Sequence, residues 1–209
     1  MIIFDLDGTL ADCEHRRHFV DPKKDFLMNP NLSMGFDAKG KLSVMKTNPE
    51  GKDCAKWKPD WKSFYEACDE DSLIKPVSEI WHKYEVDIAL DRSNLAIWSG
   101  RCESVREKTL EWLTSNLFGD KEWFDSILKM RPIGDYTPDD QLKERWLDEY
   151  LLNLYPPLEP MEEDGLMDKK IFSRNSPIEM VFDDRKKVVE MWRRRGIFVF
   201  DVSQGKGDF

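Results

Sequence analysis

Short apolar runs alternate with amphipathic stretches along most of this chain. MIIFDLD (1–7), NLAIWSG (94–100), EMVFDD (179–184) and GIFVFDV (196–202) each read as a brief buried strand ending in polar residues. DSILKM (125–130) predicts a fifth. Between these runs, SVREKTLEWLTSNLF (104–118), DDQLKERWLDEYLLNLY (139–155) and RKKVVEMWRRRG (185–196) carry apolar residues at helical spacing. In the last, Val188 and Val189 fall four and three residues before Trp192, and Gly196 supplies a helix stop. The alternation predicts an α/β protein: a Rossmann-like, doubly wound, mostly parallel sheet with helices on both faces. Chemistry in such sheets collects at the carboxyl ends of the strands.

Residues 12–75 break the alternation. DPKKDFLMNPNLSMGFDAKGKLSVMKTNPEGKD (21–53) is rich in Asn, Gly, Pro and Lys, with LSVMK readable as one strand of a hairpin, and DWKSFYEACDED (60–71) has a helical pattern. The segment leaves from the carboxyl end of the first strand. It is therefore expected to be a lysine-rich, cap-like insertion over 22–75, folding over the site within a single domain of residues 1–209. YPPLEPMEEDGLMDKK (155–170), acidic and proline-rich, reads as a solvated loop.

Charge refines this picture. The formal net charge of −9 excludes a uniformly basic nucleic-acid platform. Nine lysines against five acids nevertheless leave Pro22–Ser63 at +4, and hence the rest of the chain at −13. Cys13, Cys54, Cys68 and Cys102 are scattered without paired spacing, as are the histidines, which argues against structural zinc and for reduced thiols. The opening apolar run is too short for a signal peptide, and no segment approaches membrane-spanning length. The expectation is a soluble cytoplasmic protein with no membrane partner.

Three strand ends carry candidate chemistry. Period-two alternation puts Asp5 and Asp7 on one side of the first strand, where their mutual repulsion needs a nearby positive charge. Both could be ordinary turn aspartates. Against that, the preceding run is apolar enough for a central strand, and Gly8-Thr9 offers a turn whose backbone N–H groups could hold an oxyanion. Asp183 and Asp184 could cap the following helix, yet a second acidic pair at a strand end suits Mg²⁺, a hard cation that takes a few carboxylates plus water and phosphate. IWSGR places Ser99, Gly100 and the fork-shaped donor Arg101 together. Lys143 alone reads as a solvated helix lysine, although a site with four carboxylates and an incoming phosphate needs one fixed cation beyond the metal.

DLDGTLAD, then a strand-end serine, then a lysine, then VFDD resembles the four motifs of the haloacid dehalogenase (HAD) phosphatases. MRPIGDYTPDDQLKERWL and FDDRKKVVEMWRRRGIFVFDVSQGKGDF are similar to the 3′-phosphatase domain of phage polynucleotide kinase/phosphatases. The resemblance covers residues 1–20 and about 94–209, less the acidic loop; it does not account for the lysine-rich insertion. It implies Asp5 as nucleophile and Asp7 as general acid and then base. It further implies Ser99 and Lys143 as holders of the transferring phosphoryl group. Asp183 and Asp184, with Asp5 and Asp7, would serve as the Mg²⁺ site, and Thr9, Arg16, Gly100 and Arg101 as substrate-binding groups. No GxxxxGK[ST] occurs, so no kinase domain is expected in this chain. A phage-encoded copy would act in its host's cytoplasm.

The leading functional expectation is a Mg²⁺-dependent phosphomonoesterase removing 3′-phosphates from polynucleotide ends, with the lysine-rich insertion steering the polyanion. Trp57, Trp61 or Phe64 could stack on a terminal base, or simply form the core of the insertion. A nucleotidase acting on free nucleoside monophosphates is the alternative enzyme. A non-catalytic nucleic-acid-binding module is the third reading, disfavoured by intact Asp5, Asp7, Lys143, Asp183 and Asp184. Oligomeric state leaves no mark in the sequence.

Overall fold

The computed structural model describes residues 1–37, 39–89, 94–155 and 177–203. The first half of the chain forms β1 (Ile2–Phe4), β2 (Ala11–Asp12), α1 (Pro22–Met28), β3 (Leu32–Phe36), β4 (Leu42–Thr47), β5 (Asp53–Lys56), α2 (Trp61–Glu66), β6 (Ser72–Leu73) and α3 (Lys75–Ala89). Then come β7 (Leu95–Cys102), α4 (Arg106–Asn116), α5 (Lys121–Ile127), β8 (Leu128–Arg131), α6 (Asp139–Leu154), β9 (Met180–Asp183), α7 (Lys186–Arg194) and β10 (Val199–Asp201). The described residues form two compact units: Met1–Ala11 with those from Leu73 to Ser203, and Asp12–Ser72.

The larger unit is built on a five-stranded parallel sheet in the order β10-β9-β1-β7-β8. Central β1 explains the uninterrupted apolar run, because a strand with neighbours on both sides and helices on both faces has no wet side. Ile3 points into a core shared by Trp98, Trp146 from α6, and Val188 and Trp192 from α7. Phe4 points the opposite way, stacked on Phe182 at 4.5 Å and edge-on to Trp81 of α3 at 5.1 Å. Phe182 in turn stacks on Phe200 at 4.9 Å, so residues in direct register on β1, β9 and β10 form an aromatic ladder.

The doubly wound α/β expectation is correct, with local shifts. DSILKM is divided: Asp120 caps α5 by accepting the Trp123 N–H at 2.8 Å, and the strand begins only at Leu128. Helix α3 has no counterpart in the sequence-based reading. The proline-rich stretch after Tyr155 lies outside the described residues.

The smaller unit carries a three-stranded antiparallel sheet, β3-β4-β5, rather than a single hairpin. Both of its turns repeat one design. The Asp37 carboxylate accepts the N–H groups of Lys39 and Lys41, and the Asn48 side chain accepts those of Glu50 and Lys52. Phe64 is buried in this unit, as core, and the Trp57 indole donates to Asp25 at 2.7 Å; Trp61 stays partly exposed.

Truncating the middle rung of the ladder should be costly. Phe182→Ala is expected to lose about 3–5 kcal/mol of stability in denaturant unfolding of a chain that still folds, with a smaller loss for Phe182→Leu. A loss under about 1 kcal/mol would show that the site can collapse around the gap.

Candidate active site

The carboxyl ends of β1, β7, β8 and β9 share one edge of the parallel sheet. Asp5 follows β1 directly, its N–H bonded to the Phe182 carbonyl at 2.9 Å, so β9 fixes the backbone from which the carboxylate projects. Oxygen atoms of Asp5, Asp183 and Asp184 all lie within 4.8 Å of one another. Three carboxylates this close, mostly shielded from water, repel strongly unless a cation intervenes. Lys143, buried on α6, supplies it: Nζ lies 2.9 Å from Asp5 Oδ1 and 2.7 Å from Asp183 Oδ2. The helix lysine that reads as solvated in isolation is therefore the internal counter-ion.

Burial acts first on these groups. It pushes the Asp5 carboxyl up to about 7 against the pull of Lys143, with Asp183 and Asp7 adding to the rise. Burial, reinforced by Asp5 and Asp183, raises Asp184 to about 8. Burial works against the charged form of Lys143, but Asp183 and Asp5 outweigh it and its pKa is raised.

The residues fit a hard divalent cation. Asp184 Oδ1 is buried with no hydrogen-bond partner, an arrangement that costs about 1–3 kcal/mol unless a ligand completes it. The Thr9 hydroxyl is likewise buried and unpartnered. Gly8 is required beside them: at φ +83 a Cβ would lie 2.1 Å from Asp184 Oδ2. Asp5, Asp183 and Asp184 are the oxygen donors Mg²⁺ prefers.

Two expectations change. Asp7 does not join the carboxylate cluster; its Oδ1 takes Arg101 Nε at 2.7 Å and Nη2 at 2.6 Å. Nor are the turn N–H groups free for an oxyanion, since Gly8 donates to the Ala11 carbonyl and Thr9 to that of Leu6. Ser99, fully buried, accepts the Arg101 N–H at 3.2 Å, and Gly100 follows it at the same strand end. Arg16 lies in the smaller unit. It is fully buried there, with Nε and Nη2 on the two Asp71 oxygens at 2.6 and 2.7 Å, and its guanidinium 4.1 Å above the Phe64 ring.

Three further residues were not singled out by sequence. Asp139, at the start of α6, accepts from both Arg131 and Arg185, and a Cβ on Gly100 would approach its Oδ2 to 2.9 Å. Arg131 also donates Nε to the Gly100 carbonyl at 3.0 Å. This network ties the ends of β7, β8 and β9 to the helix that carries Lys143. The only local signal was Arg185 following the Asp183-Asp184 pair.

The doubly wound parallel sheet, with carboxylates clustered where β1 and β9 end, is consistent with a haloacid dehalogenase fold. Within it, the chain resembles the phosphatase domain of the polynucleotide kinase PNKP, whose family model matches residues 163–209. Two solved structures match over the whole chain: the Pnkp1/Rnl/Hen1 complex (22% identity, TM-score 0.51) and the Pnkp1/Rnl/Hen1 RNA repair complex (21%, 0.50). The chain covers 46% and 43% of those chains, under half of each, and the likeness is one of fold. No match was found among curated proteins. Among the described residues, no helix is long and apolar enough to cross a membrane.

The raised carboxyls make a signed prediction for metal-free protein. Asp5 and Asp184 hold protons more tightly folded than unfolded, between the ordinary carboxyl range near 4 and about 7 to 8. Their contribution to stability is present at low pH and is lost as pH rises through that window. In chelator, Tm should fall more from pH 5 to pH 8 in the parent than in Asp184→Asn. Equal slopes for the two proteins would contradict the assignment.

Proposed function

We propose that this chain is a Mg²⁺-dependent phosphomonoesterase that removes 3′-phosphates from polynucleotide ends. The observation that carries the reading is the Asp5–Lys143–Asp183 contact beside Asp184, a nucleophile-sized carboxylate held against a fixed ammonium and a cluster of hard oxygen donors. An Asp5 oxygen attacks phosphorus as the bond from phosphorus to the 3′ oxygen breaks, and Asp7 delivers a proton to that leaving oxygen. Water then attacks the aspartyl-phosphate, Asp7 takes its proton, and the bond from phosphorus to Asp5 breaks to restore the carboxylate. Lys143 stays beside Asp5 throughout and offsets charge on the phosphoryl oxygens. Ser99 and Arg101 stand at the neighbouring strand end to orient the phosphate. When bound by Asp5, Asp183 and Asp184, Mg²⁺ supplies the remaining charge neutralisation.

Polynucleotide ends are favoured over free nucleotides by the sequence match to the PNKP phosphatase domain and by exposed lysines of the smaller unit, Lys46, Lys52 and Lys56 among them. One of the Pnkp1 structures similar in fold is that of an RNA repair complex, which is compatible with that substrate class.

Phosphate release from a 3′-phosphorylated oligonucleotide, measured beside 3′- and 5′-mononucleotides, is the direct test. Release should be fastest from the oligonucleotide, need Mg²⁺ and stop in EDTA. Asp5→Asn, nearly isosteric but unable to form the acyl-phosphate, should lose several orders of magnitude in rate. Preference for mononucleotides would move the assignment to a nucleotidase, and full activity in excess chelator would remove the metal.

Neutralising Lys46, Lys52 and Lys56 together should raise KM for the oligonucleotide and flatten its salt dependence, because fewer counterions are released. Parent-like kinetics at low salt would identify these lysines as an ordinary solvated face.

A further inference from the structure

The connection from β8 to α6, Pro132–Pro138, leaves the same sheet edge that carries Asp5 and Asp183, and it is fixed from within. Arg131 Nη1 donates to the carbonyls of Asp135 and Thr137 at 3.2 and 2.5 Å. The Asp135 N–H bonds back to the Pro132 carbonyl at 3.1 Å. Its carboxylate accepts the Thr137 N–H at 2.8 Å and Arg145 Nη2 at 2.5 Å. Gly134, at φ +81, provides the left-handed step that closes the turn. These bonds fix the backbone but cover none of its large side chains: Ile133 is 74% and Tyr136 92% exposed. Single exposed apolar side chains are ordinary. Two within four residues, on a connection locked by a buried arginine, form a presented surface.

We infer that Tyr136, flanked by Ile133, is a stacking platform for the nucleobase adjoining the phosphate. This rests on the phosphatase reading above and adds a specificity-determining residue to it. Tyrosine suits the task because it offers a large amphipathic face with only two side-chain torsions to fix. The placement suits it too. Tyr136 precedes Asp139 by three residues, so their Cα atoms are at most about 11 Å apart. Asp139 itself contacts Arg131 and Arg185 and abuts Gly100, beside the phosphate-handling strand ends. A ligand with an anionic end and a planar apolar end, joined by a short polar link, matches that layout; a nucleotide is such a ligand. Every base has a π-face, so stacking here tolerates any base while rejecting an end that lacks one.

The test compares two oligodeoxynucleotides with a 3′-phosphate, one ending in an ordinary nucleoside and one in an abasic residue. The parent should favour the base-bearing end in KM by about 5- to 100-fold, the range expected for one stacked base. Tyr136→Ala should bring the ratio close to one, and Tyr136→Phe should keep it, since the ring and not the hydroxyl does the stacking. Fluorescence anisotropy of the same two ends on Asp5→Asn protein, with and without Tyr136→Ala, reads the preference without turnover. If phosphate is released but Tyr136→Ala keeps the parent's ratio, the platform is overturned and the phosphatase reading stands. If no phosphate is released, that reading fails and anisotropy alone decides. Loss of the base preference in Tyr136→Ala upholds the platform, and equal binding of both ends by the parent overturns it.

Discussion

One buried ammonium makes the rest of the site possible. Lys143 sits within 3 Å of Asp5 and Asp183, and without it β1 and β9 would bring unpaired carboxylates together where water is excluded. Removing one partner of such a contact typically costs about 3–5 kcal/mol, because the remaining charge stays buried. Helix α6 therefore anchors the site as well as packing Leu142, Trp146 and Leu147 into the core. Its register against the sheet is set by both demands at once.

Charge around this contact is close to balance but not at it. The carboxylates of Asp5, Asp7, Asp139, Asp183 and Asp184 face the cations of Lys143, Arg101, Arg131 and Arg185, five against four. Asp7 pairs with Arg101, and Asp139 between Arg131 and Arg185 leaves one positive charge over, so the deficit lies at Asp5, Asp183 and Asp184, three carboxylates with Lys143 as their direct partner. There the Asp5 and Asp184 carboxyls are pushed toward neutrality, and there an Asp184 oxygen lacks a partner. A divalent cation relieves both strains, and its added charge favours a phosphate dianion.

Much of this was legible in the sequence, for identifiable reasons. The apolar run of β1 ending in Asp5, the Asp183-Asp184 pair and the amphipathic α7 are local patterns, and local patterns survive folding. Helix α3 was readable too, with Pro76 in its first turn and Val77, Trp81 and Tyr84 at helical spacing, but it adjoins a stretch dominated by turn residues. What the sequence could not reveal was the choice of partner. Arg185 meets Asp139 across 46 residues, and Lys143 meets Asp183 across 40. Nothing in FDDR or DDQLKERW tells which side chain turns inward. Arg16, a substrate group by resemblance alone, has a partner that no local pattern announces: its guanidinium bonds Asp71, 55 residues away, and the Phe64 carbonyl.

If the carboxylate beside Lys143 receives the phosphoryl moiety, as proposed, Asp5 must carry a covalent phosphoryl group during turnover. Rapid acid quenching during turnover of a 3′-phosphorylated oligonucleotide, followed by peptide mass spectrometry, tests it most directly. A phosphoryl mass increment is expected on the peptide containing Asp5, present during turnover and gone once substrate is exhausted. Turnover with that peptide unmodified at every time point, or with the increment on another residue, would contradict it.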